Sequence, residues 1–261
     1  MGALRWIDEG DAAELRVRGN RASVRAAIEH IDGLDCAVIA GERVAPRLFV
    51  ADMDSTMIGQ ECIDELADYA GVKADVAAIT ERAMRGELDF AGALGARVAL
   101  LKGLDHEAIA LCRAERIRPN PGAATLVATL KARGVTTMLV SGGFTDFVGP
   151  IAAELGFDGF AANQLEEAEG KLTGVTVGAL VDGEAKRRIA REMLSERQAE
   201  PGALVAIGDG ANDIPMVELA GLGVGYRPKA ALARVAEGAI RHHDLTALLW
   251  MLGIPRAEWV S

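Results

Sequence analysis

The sequence predicts an α/β fold, a mainly parallel sheet flanked by helices, on three observations. Short apolar runs rich in Val, Ile and Leu alternate with longer stretches of helical periodicity, the pattern of repeated βα units. The clearest runs are Leu48–Ala51, Thr136–Val140, Ala203–Ile207 and Leu222–Gly225, and three of them stop at a small or acidic residue: Asp52, Ser141 and Asp209. At 261 residues the chain is long enough to bury one large core and an accessory lobe without disulfides or structural metal. Open α/β sheets bind ligands in the crevice beyond the carboxyl ends of their strands, so the three terminating residues should converge on one site.

In chain order, residues 1–45 carry a strand-like Leu15–Val17, a helix around Ala22–Ile31 and a strand-like Cys36–Ile39, which reads as one short βαβ segment. A unit of that size buries too little apolar surface to stand alone, so it should dock on the body or pair with its copy in a homodimer. The body, 46–261, opens with Leu48–Ala51. The stretch from there to Thr136 far exceeds one crossover helix and is mostly helical in pattern, which predicts a helical cap over about 60–118. Within it Phe90, Leu94, Val98 and Leu101 form an apolar seam, and Arg97 is the charge that breaks it. Phe160 to Val177 reads as a hairpin turning at Glu169-Gly170-Lys171.

Bulk chemistry narrows the partners. With 38 acidic against 28 basic residues the net charge is −10, and no Lys/Arg cluster is interleaved with aromatics, so a nucleic-acid partner is not expected. Acidic residues arrive within the first nine positions, and no run approaches the ~18 apolar residues of a membrane span. The three cysteines, Cys36, Cys62 and Cys112, are odd in number and form no C-x-x-C pair, which fits a reducing cytoplasm.

The chemistry is concentrated in four places. Asp52-Met53-Asp54-Ser55-Thr56 sets two carboxylates two residues apart at a strand end. Such a pair fits a polar strand terminus with a Ser/Thr helix cap. It equally fits a nucleophile, Asp52, beside a general acid/base, Asp54, in phosphoryl transfer. An ionised aspartate repels a phosphate dianion, so the second reading needs a shared cation, and Mg²⁺ suits an all-oxygen site. Gly208-Asp209-Gly210-Ala211-Asn212-Asp213 would supply its other ligands, Asp209 directly and Asp213 through water, with Asn212 as an orienting hydrogen-bonder. Ser141-Gly142-Gly143 offers a hydroxyl and free N–H groups to a phosphoryl oxygen, and Lys186 offers a fixed positive charge. Taken singly, the serine could be a helix cap and the lysine ordinary surface. Their joint occurrence in this order is what carries weight.

In that order the four motifs resemble the haloacid dehalogenase superfamily. Met53, Ser55-Thr56, Glu61, Phe90, Arg97 and Gly142-Gly143-Phe144 bring the likeness closer to the branch that hydrolyses O-phosphoserine in the last step of serine biosynthesis. The resemblance covers roughly 46–250. It implies a Rossmann-like body with an inserted cap, Asp52 as nucleophile, Asp54 as acid/base, and Mg²⁺ held by Asp52, the Asp54 carbonyl and Asp209. Ser141, Gly142 and Lys186 would bind phosphate, Glu61 the substrate ammonium and Arg97 its carboxylate, with Phe90 closing over the ligand. A guanidinium suits a carboxylate, which gives Arg97 a reason to interrupt an apolar seam. The alternative is a related phosphatase or phosphotransferase for another small phosphomonoester. A receiver-type signalling domain shares the acidic cluster, hydroxyl and lysine, but it has no use for Asp54 or a lid.

Overall fold

The computed structural model describes residues 4–28, 31–85 and 87–260. Strands are β1 (Leu4–Asp8), β2 (Ala12–Leu15), β3 (Cys36–Ala37), β4 (Leu48–Ala51), β5 (Thr136–Phe144), β6 (Gly159–Ala168), β7 (Lys171–Val177), β8 (Leu204–Gly208), β9 (Leu222–Tyr226) and β10 (Gly238–Ile240). Helices are α1 (Arg21–Ile28), then α2 (Cys62–Tyr69), α3 (Lys73–Met84), α4 (Phe90–Ala99) and α5 (Glu107–Arg116) in the insert. They continue with α6 (Ala123–Ala132), α7 (Thr145–Leu155), α8 (Gly183–Glu196), α9 (Ile214–Leu219), α10 (Ala230–Val235) and α11 (Ala247–Met251).

Eight strands form one sheet in the order β3-β10-β9-β8-β4-β5-β6-β7, parallel except at its two edges, where β3 and β7 run antiparallel to their neighbours. Why β4 sits centrally is legible in its four residues. Leu48 and Val50 pack with Ala190, Met216 and Val217 on one side, while Phe49 and Ala51 pack with Leu126, Phe147 and Leu248 on the other. A strand apolar at every position, with side chains alternating faces, is stable only between two helical layers. From β4 the chain order runs outward in both directions, to β5 and to β8, and such a switch point opens a crevice at the strands' carboxyl ends.

The helical insert α2–α5 follows β4 directly and is fastened at two places. At its neck Ile58 bridges Pro119, the N–H of Asn120 donates to the Met57 carbonyl at 2.9 Å, and Asn120 Nδ2 reaches the Thr56 carbonyl at 2.7 Å. Farther out the segment after α4 lies along β7, the N–H of Gly103 donating to the Leu172 carbonyl at 2.8 Å and that of His106 to Gly170 at 2.9 Å. His106 Nε2 also meets Asp146 Oδ1 on α7 at 3.0 Å.

Several expectations are corrected. The N-terminal segment is no βαβ unit: β1 and β2 pair antiparallel as a separate hairpin, and β3 joins the main sheet antiparallel to β10. The turn at Glu9-Gly10-Asp11, with Gly10 at φ 83°, reverses the chain before Leu15–Val17, and only Leu15 of that run is in a strand. The helix expected over Ala22–Ile31 spans Arg21–Ile28, and 29–30 lie outside the described residues. β5 also continues past Val140 through Ser141-Gly142-Gly143 to Phe144. No helix among the described residues is long and apolar enough to cross a membrane.

Candidate active site

Asp52 extends the β4 ladder by one bond, its N–H donating to the Ile207 carbonyl at 3.0 Å. The chain then hooks. Ser55 takes the left-handed region at φ 55°, its N–H donates to the Gln60 carbonyl at 3.1 Å, and that of Ile58 donates to Met53 at 3.1 Å. The hook leaves Asp52 and Asp54 on one cavity of 330 Å³, and strain at a non-glycine residue is a common companion of such turns. Across it lies Ser141-Gly142-Gly143. A Cβ at Gly143 would stand 3.2 Å from Asp54 Oδ2 and 3.1 Å from Ser141 Oγ, so glycine leaves this space clear.

At the end of β8 the packing is tighter still. A Cβ at Gly208 would fall 2.3 Å from Asp213 Cγ, which restricts that position to glycine. Asp213 Oδ2 accepts the N–H groups of Asp209 and Gly210, each at 3.0 Å, and shapes the turn that presents Asp209. Its other oxygen accepts from Lys186 Nζ at 2.7 Å, and Lys186 in turn reaches Asp52 Oδ1 at 2.5 Å. Lys186 stands on the first turns of α8, whose start is capped by Asp182 accepting the Ala185 N–H at 2.8 Å. The lysine is fully buried, and it sits behind Asp52 rather than in the cavity wall.

Charge is unbalanced here. Burial opposes the Lys186 ammonium, but Asp213 and Asp52 more than restore it and hold its pKa above the ordinary value. Burial, with Asp213 adding to it, pushes the Asp52 carboxyl well up, against the pull of Lys186. Burial likewise raises Asp209, although Lys229 Nζ lies 2.9 Å from its Oδ2. Asp54 is pushed up to about 7 by burial and then by Glu61, which leaves its acid and base forms both accessible near neutrality.

Asp52, Asp209 and Asp213 each offer a carboxylate oxygen within 4.8 Å of the others. Three clustered carboxylates against one buried ammonium, with carboxyl pKa values forced upward, form an all-oxygen donor set that a hard cation would satisfy. The residues fit a metal.

The opposite wall comes from the insert. Phe90 and Leu94 on α4 and Ile63 on α2 line it with apolar surface. Arg97, one turn after Leu94, donates through Nε to the Ala93 carbonyl at 3.2 Å, and among the described residues it has no carboxylate at ion-pair distance. Burial lowers its pKa while Asp64, Glu61 and Asp54 draw it up. Glu61, at the entrance to α2, accepts from Ser55 Oγ at 2.7 Å, and burial raises its pKa. Asn212 completes the rim from the β8 side.

Of the predicted residues, Asp52, Asp54, Glu61, Phe90, Arg97, Ser141, Gly142, Asp209 and Asn212 line one cavity, while Lys186 and Asp213 lie directly behind it. Sequence reasoning missed Lys229. It follows β9 at a strand's carboxyl end, the position that should have drawn notice; Pro228 packs so closely on Gly225 that a Cβ there would be 2.6 Å away. It also missed Asn163, for which the sequence carried no signal.

Comparison with known proteins agrees with this geometry. Residues 49–218 match the model of the haloacid dehalogenase-like hydrolase family. A phosphoserine phosphatase of Streptomyces coelicolor is 45% identical over 228 residues, 87% of this chain and 55% of that protein. One of Polaromonas sp. is 47% identical over 208 residues, 78% of this chain and 88% of its own length. Among solved structures, a phosphoserine phosphatase described as a phospho-aspartyl intermediate analogue superposes with a TM-score of 0.73 at 39% identity, covering 79% of this chain and 98% of that one. The chain thus spans little more than half the length of some curated relatives and nearly all of others.

Proposed function

The chain belongs to the haloacid dehalogenase-like hydrolases, and from that premise we propose that it hydrolyses O-phospho-L-serine to L-serine and phosphate through an aspartyl-phosphate on Asp52. One observation carries the reading: the Asp52/Asp54 pair shares its cavity with an Arg97 guanidinium that, among the described residues, no carboxylate pairs with, and with the Glu61 carboxylate. A zwitterionic amino acid needs one cationic and one anionic partner at its far end. The relatives from Streptomyces coelicolor and Polaromonas sp., both phosphoserine phosphatases, support the same substrate.

An oxygen of Asp52 attacks phosphorus in line with the ester oxygen, the P–O bond to serine breaks, and Asp54 gives its proton to the departing alkoxide. Asp54, now a base, takes a proton from water, which attacks the acyl phosphate and releases phosphate with Asp52 restored. Lys186 holds Asp52 in position throughout and offsets the charge that gathers on the phosphoryl oxygens. Ser141 Oγ and the Gly142–Gly143 backbone bind those oxygens on the opposite side. Mg²⁺, held by Asp52, the Asp54 carbonyl and Asp209, with Asp213 steadying Asp209 from behind, would supply the positive charge that lets a carboxylate meet a phosphate dianion.

The test is phosphate release from a panel containing phosphoserine, phosphothreonine and an aryl phosphate, with Mg²⁺ and after chelation. Phosphoserine should be preferred and EDTA should abolish turnover until Mg²⁺ is returned. Ca²⁺ should restore little, because its longer bonds and higher coordination number misplace the reacting groups. Undiminished activity in excess EDTA would remove the metal from the scheme, and an equal rate on all three esters would remove the amino-acid specificity.

A further inference from the structure

We infer that Asn163 is a positioning residue that locks the Gly142–Gly143 peptide in the orientation a phosphoryl group requires, an inference that rests on the phosphatase reading above. The need for a lock follows from how β5 and β6 pair. Val140 stands opposite Ala161 and Phe144 opposite Asn163, so Ser141, Gly142 and Gly143 face the single residue Ala162. The three residues are a bulge, which aims them at the site but breaks the ladder that would have fixed their backbone groups.

Asn163 replaces the missing bonds. Its side chain is 1% exposed; Nδ2 donates to the Gly142 carbonyl at 2.8 Å, and Oδ1 accepts the Val181 N–H at 2.8 Å. The two partners fix which end of the amide is which, since the reverse assignment would fail at both. With the Gly142 carbonyl drawn to Asn163, the N–H of Gly143 in the same planar peptide points the other way, toward Ser141 Oγ at 2.9 Å and the cavity. Turned over, that peptide would present a carbonyl oxygen to an anionic ligand. Glycine on both sides makes the turn sterically cheap, so backbone geometry alone guards weakly against it. Val181 leads into Asp182, the cap of α8, so the same amide also ties the bulge to the helix that carries Lys186.

Asn163→Leu keeps the branching and the number of side-chain heavy atoms and removes both hydrogen bonds. The variant should lose about 100-fold in kcat/KM for phosphoserine, mainly in kcat, the scale of a lost oxyanion donor, with orthovanadate inhibition weakened in step. Mg²⁺ affinity by isothermal titration should stay within about threefold, because the Asn163 side chain hydrogen-bonds Gly142 and Val181 and not the three clustered aspartates. In the wild-type protein the Gly143 amide resonance should shift when orthovanadate is added with Mg²⁺, a measurement that stands even where the variant fails to fold. A variant as active as wild type, a fall in Mg²⁺ affinity that matches the fall in rate, or an unmoved Gly143 resonance would each overturn the inference. A wild-type protein inert toward every phosphomonoester would instead bring down the phosphatase reading, and this one with it.

Discussion

The carboxyl end of the sheet and the N-terminal hairpin depart from ordinary partitioning in opposite senses. At the first, Asp52, Asp209, Asp213 and Lys186 are buried. On the second, Leu4, Trp6 and Leu15 are half exposed, at 52%, 51% and 50%. Buried charge is tolerated only where every group is answered by another, and there each carboxylate has an N–H or an ammonium within reach. An exposed hairpin tolerates almost anything, and it is moored by a few polar ties: Asp8 Oδ2 accepts from Trp250 Nε1 at 2.5 Å and from the Arg256 N–H at 2.8 Å. A single substitution should therefore matter greatly in one region and slightly in the other.

The two regions should differ most at Asp52. Asp52→Asn is nearly isosteric but cannot attack phosphorus, so turnover should fall by ~10⁴-fold or more while the melting temperature barely moves. Acid-quenched labelling decides it: hydroxylamine-sensitive label on the variant would assign the nucleophile elsewhere. Lys186→Met should be the largest structural loss, about 3–5 kcal/mol by denaturant unfolding, because it strands two buried carboxylates. A loss under about 1 kcal/mol would mean that the site is far wetter than its burial indicates.

Arg97→Ala should weaken phosphoserine hydrolysis by about 2–4 kcal/mol of transition-state binding and leave an aryl phosphate nearly untouched. Equal losses on both would make Arg97 a packing residue of α4. Deleting residues 1–19 removes the hairpin alone and should leave kcat within about threefold, with a slightly lower melting temperature from the lost Asp8 ties. A folded truncation slowed by ~100-fold would place the hairpin in the chemistry.

The smallest effect belongs to Asp35, just before β3. Burial opposes its charge, but the N–H groups of Arg241, His243 and His242, with the His243 ring, outweigh it and hold its carboxyl below the usual range. A depressed folded pKa gives stability that is present above the unfolded value near 3.9 and lost as pH falls through the folded one. Asp35→Asn should thus cost about 1 kcal/mol at neutral pH and progressively less in acid. A loss independent of pH would show that the carboxylate charge contributes nothing.

Much of the candidate site was legible because its residues sit at strand ends, where local pattern and global position coincide. Asp52, Ser141 and Asp209 follow apolar runs, and Arg97 betrayed itself by breaking an apolar seam. The hairpin was not legible: β1 has no strong apolar alternation, and one turn at Gly10 separated Leu15 from the helix-linked strand expected of it. Asn163 was invisible for a different reason. Its importance arises from a bulge in a neighbouring strand, and nothing in the residues around Asn163 encodes the register of β5.

The neck at Ile58 and Pro119 has a consequence for how such a chain can change. Because the insert leaves and re-enters the body through adjacent backbone, the sheet experiences it as a closed loop whose ends are already joined. Loop-closure entropy grows only with the logarithm of length, about 0.6 kcal/mol for each doubling. Helices can be lengthened, shortened or exchanged beyond the neck at little cost to β4 and its two aspartates. The aspartates at the strand ends and the insert residues Phe90 and Arg97 that face them therefore lie on separately mutable stretches of one gene, and selection can revise the second while the first stand still.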